Sequence, residues 1–325
     1  MINVINSTDK KSSDTTHQDA SSTTSKPAPV VISALSDISF LKLFDPNSPW
    51  VLVHEGSLMG FFDFVPRSLR VGPWHTAAPI YMTIFVAKLI YWMPQKESFY
   101  LDDEILSAHP LAYSATWFYN VVTFFWMKFV LFQTLSLRGP GVIVTYTIQS
   151  WMMLTTRHGL SALAPFLPKQ HFLLRFNEIL RFPALASATI TFFYWNFLLA
   201  PIIYYNIKGE ERRKAFFRFN FNFRMIQVHF FNIVFAVLNT IVTSCRKFQF
   251  LDLWCALAGA LGYALLYLLV LDRFGVHLYP IFSPRTVWSL LSWSAILGTY
   301  FLVFHVWNEA ITLWSPLFRE IQGLN

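Results

Sequence analysis

The chain has 325 residues, of which 54% are hydrophobic, 18% are aromatic and only 13% are charged, and its mean hydropathy is +0.43. In soluble globular domains roughly a quarter of the residues are charged. This composition therefore excludes a soluble globular protein and predicts an integral membrane protein. With only two cysteines, the chain cannot be a scaffold held together by disulfides. The net charge is +7, and the Lys and Arg residues lie between apolar runs, which favours membrane lipids over nucleic acid as partners.

The N-terminal part of the chain is predicted to lie outside the membrane. Residues 1–33 are rich in Ser and Thr and have no hydrophobic run after Met1, so we predict a disordered tail rather than a signal peptide. Residues 34–76 are apolar but contain four prolines and several aromatic rings, which indicates an interfacial segment at headgroup depth. Residues 313–325 are expected to form a short C-terminal tail.

Six apolar runs between residues 77 and 312 are long enough to cross the hydrocarbon core, which needs about 20 helical residues. They cover 77–93, 113–135, 183–205, 225–244, 251–271 and 286–308. We therefore predict an all-α polytopic membrane protein, a six-transmembrane-helix bundle. Residues 138–182 are predicted to be an interfacial or re-entrant insertion. The apolar part of this insertion, 141–156, is short and carries Thr145, Thr147, Gln149 and Ser150.

Three predicted helices carry polar residues on one face at the helical period. In lipid such faces turn inward, where they hold helices together or form a site. The second helix carries Thr116, Asn120, Thr123 and Thr134, the fourth His229, Asn232, Asn239 and Thr243, and the sixth Ser294, Gly298, His305 and Glu309. The amides and threonines are typical of packing contacts, whereas a histidine, which titrates near neutral pH, can act as a base.

Thr116 and His229 are the candidate catalytic residues. A threonine hydroxyl becomes a nucleophile when a histidine within hydrogen-bonding distance accepts its proton. With six crossings, the helices that carry these residues begin on the same membrane face, and each residue lies about one turn inside it. A seventh crossing between them would separate the two residues.

Other polar residues are assigned supporting or substrate-binding roles. These are Asn120, Thr123, Asn232, Asn239, His277, Tyr279 and Glu309. Thr123 is a competing nucleophile, and for Glu309 a structural role and a functional role both remain open. The histidines show no spacing typical of a zinc site, so neither a metal nor an organic cofactor is predicted.

The segment LDRFGVHLYPIF, residues 271–282, resembles the Gly-x-x-x-Tyr-Pro motif that follows the fifth helix of the androgen-induced membrane proteins. These are six-span hydrolases of fatty acid esters of hydroxy fatty acids. The similarity covers roughly residues 77–312, without much of 138–170, and includes EILRFPALASATITFFYWNF, VHFFNIVFAVLN and FLVFHVWNEAITLW. It implies that His229 takes the place of the catalytic histidine and Thr116 that of the nucleophilic threonine. His277 stands where many members have tryptophan, and the insertion is longer than usual.

These observations predict an integral membrane threonine hydrolase that cleaves a lipid ester, in the endoplasmic reticulum or a connected membrane. The alternative is a non-enzymatic membrane protein, either a lipid-binding scaffold or a carrier of lipids or small solutes. A probe that reacts with nucleophilic hydroxyl groups distinguishes the two.

Overall fold

The computed structural model describes residues 67–69, 72–94, 111–138, 140–169, 171–243, 246–272 and 278–322. The predicted tail 1–33, most of the predicted surface segment 34–76 and His277 lie outside the described residues.

The described residues form helices joined by turns. In chain order the helices are α1 (Ala77–Tyr91), α2 (Ala115–Arg138), α3 (Tyr146–Leu163), α4 (Phe172–Asn206), α5 (Glu210–Asn220), α6 (Phe223–Thr243), α7 (Phe250–Leu271) and α8 (Trp288–Gln322). Three of them contain π-helical segments, which are Tyr194–Leu199 in α4, Gln227–Phe231 in α6 and Leu266–Leu271 in α7.

Within the described part of the chain, five helices are long and apolar enough to cross a membrane: α2, α4, α6, α7 and α8. The first predicted span, 77–93, is instead the 15-residue helix α1. Large apolar side chains cover the outside of the bundle, and polar side chains are buried among apolar ones inside it: Phe132 is 68% exposed, whereas Asn120 is fully buried. Because this distribution suits lipid as the surrounding solvent, the chain is an all-helical, multi-pass membrane protein.

Helix α3 corrects the prediction for residues 138–182. It is antiparallel to α2, because the indole of Trp117 donates to the Ala162 carbonyl at 2.8 Å and that of Trp151 to the Met127 carbonyl at 3.0 Å. Trp151 is fully buried, and α3 packs against α2, α4 and α6. Residues 146–163 are therefore part of the bundle interior rather than an interfacial or re-entrant insertion.

The helices alternate in direction, which gives the bundle two ends. Side chains near the start of α2 contact the end of α6, and Asn308 of α8 bonds the backbone of Phe248 just before α7. We call this end, which also holds Arg246, the Arg246 end, and the opposite one, where α6 begins, the His229 end. With α3 in the bundle, two helices rather than one separate α2 from α6, so these two begin at opposite ends.

Candidate functional site

A threonine and a histidine meet near the His229 end of the bundle. Oγ1 of Thr147, in the first turn of α3, lies 3.3 Å from Nε2 of His229 in α6. Nδ1 of the same imidazole lies 3.2 Å from the Met225 carbonyl oxygen, which can only accept a hydrogen bond. The proton of a neutral ring therefore sits on Nδ1, and Nε2 is left as an acceptor for the Thr147 hydroxyl.

Two π-helical segments position the imidazole. His229 lies in the π segment of α6, and Trp195 and Asn196 lie in that of α4. The Trp195 indole stacks on the imidazole with ring centroids 4.3 Å apart, and Asn196 Nδ2 donates to the His229 carbonyl at 3.1 Å. A π segment shifts the helical register locally and is frequent at functional sites. Here it brings the imidazole, which is only 6% exposed, against α3.

The first turn of α3 supplies hydrogen-bond donors beside the hydroxyl of Thr147. Thr145 caps this helix through its side chain, which accepts from the Ile148 amide. The Tyr146 amide donates to the phenol oxygen of Tyr279 at 3.1 Å, and this phenol also interacts with Thr147. Burial raises the pKa of Tyr279, so its phenol stays protonated and remains a donor. The amides of Tyr146 and Ile148 are already hydrogen-bonded, so the phenol of Tyr279 is the candidate donor where negative charge could develop.

A second layer of polar contacts lies one turn deeper between α3 and α6. Asn232 Nδ2 donates to Ser150 Oγ at 3.1 Å, and Ser150 in turn donates to Ser187 at 3.1 Å. All three side chains are buried. They fix α3, α4 and α6 relative to one another directly below Thr147 and His229. Asn232 thus takes part in a polar contact between α6 and α3.

The structure does not bring Thr116 and His229 together. Asn120, whose side chain donates to the Thr116 carbonyl at 2.9 Å, also accepts from Asn239 at 2.8 Å. Asn239 lies ten residues beyond His229 in α6, or about 15 Å along the helix. Thr116 is one turn further away and has its hydroxyl 3.0 Å from Ser114. The predicted Thr116–His229 pair is wrong, because α3 reverses the direction of α2 relative to α6.

Asn120 and Asn239 instead join a buried network at the Arg246 end. Their side chains surround His158 of α3, whose Nδ1 lies 2.9 Å from Asn120 Oδ1 and 3.2 Å from Asn239 Nδ2. The neighbouring Arg157 donates to Thr243 Oγ1 at 2.8 Å. These contacts give partners to some polar atoms of α3 inside the bundle, whereas Arg157 Nη1 and His158 Nε2 are buried without a hydrogen-bond partner. The partial pairing lowers the cost of burying a helix of modest hydropathy.

The remaining predicted residues are not at the Thr147–His229 pair, apart from Tyr279. Thr123 is buried on α2, where it interacts with Tyr119. The polar face predicted to turn inward on α8 is instead exposed, at Ser294, Gly298, His305 and Glu309. That prediction is wrong, because α8 lies at the edge of the bundle and is the least buried of the candidate membrane-spanning helices. Among the residues that the structure describes, no group of three or more His, Cys, Asp or Glu side chains could hold a metal ion.

Comparison of the chain with protein-family models, curated proteins and solved structures yields no match. The fold and the site themselves define a multi-pass membrane protein with a threonine and a histidine in contact inside one end of its helical bundle.

Proposed function

We propose that this protein is a membrane hydrolase that cleaves a lipid ester, with Thr147 as nucleophile and His229 as general base. The observation that carries the proposal is the contact between Thr147 Oγ1 and the unprotonated Nε2 of His229. Thr147 thus replaces Thr116 as the candidate for the nucleophilic threonine implied by the resemblance to the androgen-induced membrane proteins. The role of His229 in the proposal is unchanged.

The proposed reaction has two steps. First, Nε2 of His229 takes the proton of the Thr147 hydroxyl while Oγ1 attacks the ester carbonyl, and the resulting oxyanion accepts a hydrogen bond from the Tyr279 phenol. The imidazolium then gives its proton to the departing alcohol, leaving an acyl-threonine. In the second step His229 removes a proton from a water molecule, whose oxygen attacks the acyl carbonyl. The bond to Oγ1 then breaks, the imidazolium returns the proton to Oγ1, and the acid is released.

The surroundings of the pair favour a lipid substrate. Phe230 and Phe231 follow His229 and are exposed on the outer face of α6, where acyl chains would lie. The pair itself lies near the end of the bundle, so an ester close to the headgroups could meet both the hydroxyl and water. An ester of a hydroxy fatty acid is the substrate class that fits this placement and the resemblance.

The experiment is labelling of the purified full-length protein, in detergent, with a fluorophosphonate probe. Thr147→Ala and His229→Ala should lower the labelling rate by at least about 100-fold, because each removes half of the pair. Thr147→Ser should retain labelling, since it keeps the hydroxyl.

Thr116→Ala and Thr123→Ala are the matched controls, because each removes a threonine hydroxyl of α2 away from His229. Both should label like the wild type. Labelling that is lost in Thr116→Ala but kept in Thr147→Ala, in variants with unchanged unfolding midpoints, would overturn the assignment. A wild type that does not react with the probe or hydrolyse lipid esters would overturn the proposed function.

A further inference from the structure

Helix α5 concentrates positive charge at the His229 end. It connects the end of α4 to the start of α6, two helices that are long and apolar enough to cross a membrane, so it lies at the membrane surface. Residues 208–224 contain six basic and two acidic side chains, a net charge of +4 out of +7 for the whole chain. Both acidic residues, Glu210 and Glu211, are bridged by Lys214 at 2.9 and 3.1 Å.

The outer surface of this segment combines cations with aromatic rings. Arg213 and Arg218 are exposed on α5. Phe217 and Phe221 lie beside them, 54% and 56% exposed, with their rings 4.5 Å apart. Exposed phenylalanines enter the boundary between headgroups and acyl chains, while arginines reach phosphate and carboxylate groups. The chemistry complementary to this surface is an anionic phospholipid leaflet.

The inner side of α5 contacts the groups that hold His229. Phe216 is buried in the same apolar cluster as Trp195. Asn220, the last residue of α5, accepts a hydrogen bond from the Trp195 indole at 2.7 Å through its Oδ1. Because Trp195 stacks on His229, a movement of α5 on the membrane surface would change the position of the imidazole. Asn220 and Trp195 are thus positioning residues.

We infer that α5 binds anionic phospholipid headgroups and that this contact sets the reactivity of the Thr147–His229 pair through Asn220 and Trp195. The second half of this inference rests on the proposed function, whereas the first half does not. Since anionic lipids are concentrated in the cytoplasmic leaflet, the His229 end faces the cytosol.

Lipid binding is tested with the full-length protein in phosphatidylcholine vesicles that contain spin-labelled phosphatidylserine or spin-labelled phosphatidylcholine. Electron paramagnetic resonance measures the fraction of each lipid that the protein immobilises. We expect about fivefold preference for phosphatidylserine, reduced by high salt. Arg213→Gln with Arg218→Gln should lower this preference by at least half.

The matched control is Lys169→Gln with Lys247→Gln, which removes two exposed cations from the Arg246 end. It should keep the preference, because those residues face the other leaflet. Equal immobilisation of both lipids by the wild type, or equal losses in the two double variants, would overturn lipid binding by α5.

The coupling is tested by the rate at which the fluorophosphonate probe labels the protein in vesicles with and without phosphatidylserine. Phosphatidylserine should accelerate labelling of the wild type several-fold. Asn220→Leu removes the acceptor for Trp195 and should abolish this acceleration, whereas Asn220→Asp keeps an acceptor oxygen and should retain it. A merely structural role of Asn220 would make Asn220→Leu slow labelling equally in both vesicles and leave the acceleration by phosphatidylserine in place.

The outcomes separate the two proposals. Lipid preference without labelling in any vesicle would reject the proposed function and leave the lipid-binding surface standing. Labelling of the wild type at the same rate in both vesicles, or acceleration that persists in Asn220→Leu, would reject the coupling while the hydrolase proposal stands.

Discussion

Replacing Arg246 with alanine removes the cation shared by two buried carboxylates. Its guanidinium bonds both oxygens of Asp252, at 2.7 and 2.9 Å, and one oxygen of Glu178 at 3.2 Å. The side chains of Glu178 and Asp252 are 0% and 3% exposed. Breaking a buried ion pair by removing one partner costs about 3 to 5 kcal/mol. We therefore expect Arg246→Ala to lower the free energy of unfolding by about this amount.

The effect of Arg246 should not change with pH around neutrality. Burial alone lowers the pKa of Arg246, but the hydrogen bonds and negative charges of Asp252 and Glu178 outweigh burial and raise it above its ordinary value. A group whose pKa is raised by folding stabilises the protein fully below its unfolded-state pKa, and loses that effect only as the pH rises through the folded-state pKa. For an arginine this window lies far above physiological pH.

The assay is reversible unfolding of the purified protein in mixed micelles, followed by circular dichroism. Lys247→Ala is the control, because Lys247 is adjacent in sequence but exposed; its effect should stay within about 0.5 kcal/mol. Adding Asp252→Asn to Arg246→Ala should cost less than the sum of the single changes, since the two share an interaction. The reasoning is refuted if Arg246→Ala unfolds like the wild type, or if Lys247→Ala is equally destabilising.

Two further changes probe the packing of α3 and the proposed oxyanion donor. A Cβ atom on Gly159 would lie 2.8 Å from the Phe124 ring of α2, so Gly159→Ala should destabilise the bundle by about 1 to 3 kcal/mol in the same unfolding assay. Gly262→Ala, which meets no atom within 4 Å, should not destabilise it. Tyr279→Phe should slow labelling of Thr147 by about 10- to 1,000-fold through loss of one donor. Tyr300→Phe, which loses only the contact with Tyr146, should label normally; equal rates in the two variants would contradict the role of Tyr279.

Composition and periodicity were sufficient to predict the class of protein and several interior faces. The scarcity of charge predicted a membrane protein, and the stripe of His229, Asn232 and Asn239 predicted the buried face of α6, as the structure shows. These predictions succeed for α2 and α6 because lipid cannot hydrogen-bond polar side chains, so a polar stripe on an apolar helix favours the interior. The rule fails for α8, whose stripe at Ser294, Gly298, His305 and Glu309 is exposed. The same rule predicted buried positions for Asn120 and Thr123.

Only the tertiary structure decided which threonine meets His229. Arg157 and His158 reduce the hydropathy of α3. Contacts with Thr243, Asn120 and Asn239 lower the cost of burying them, and no local property of the sequence predicts these contacts. A signal did exist, because Thr147, Ser150, His158 and Ser161 lie at spacings that share one helical face. Because α3 is an additional helix between α2 and α4, α2 and α6 begin at opposite ends of the bundle. Thr116 therefore lies at the Arg246 end, away from His229. Which residues of two helices meet depends on the number of helices between them.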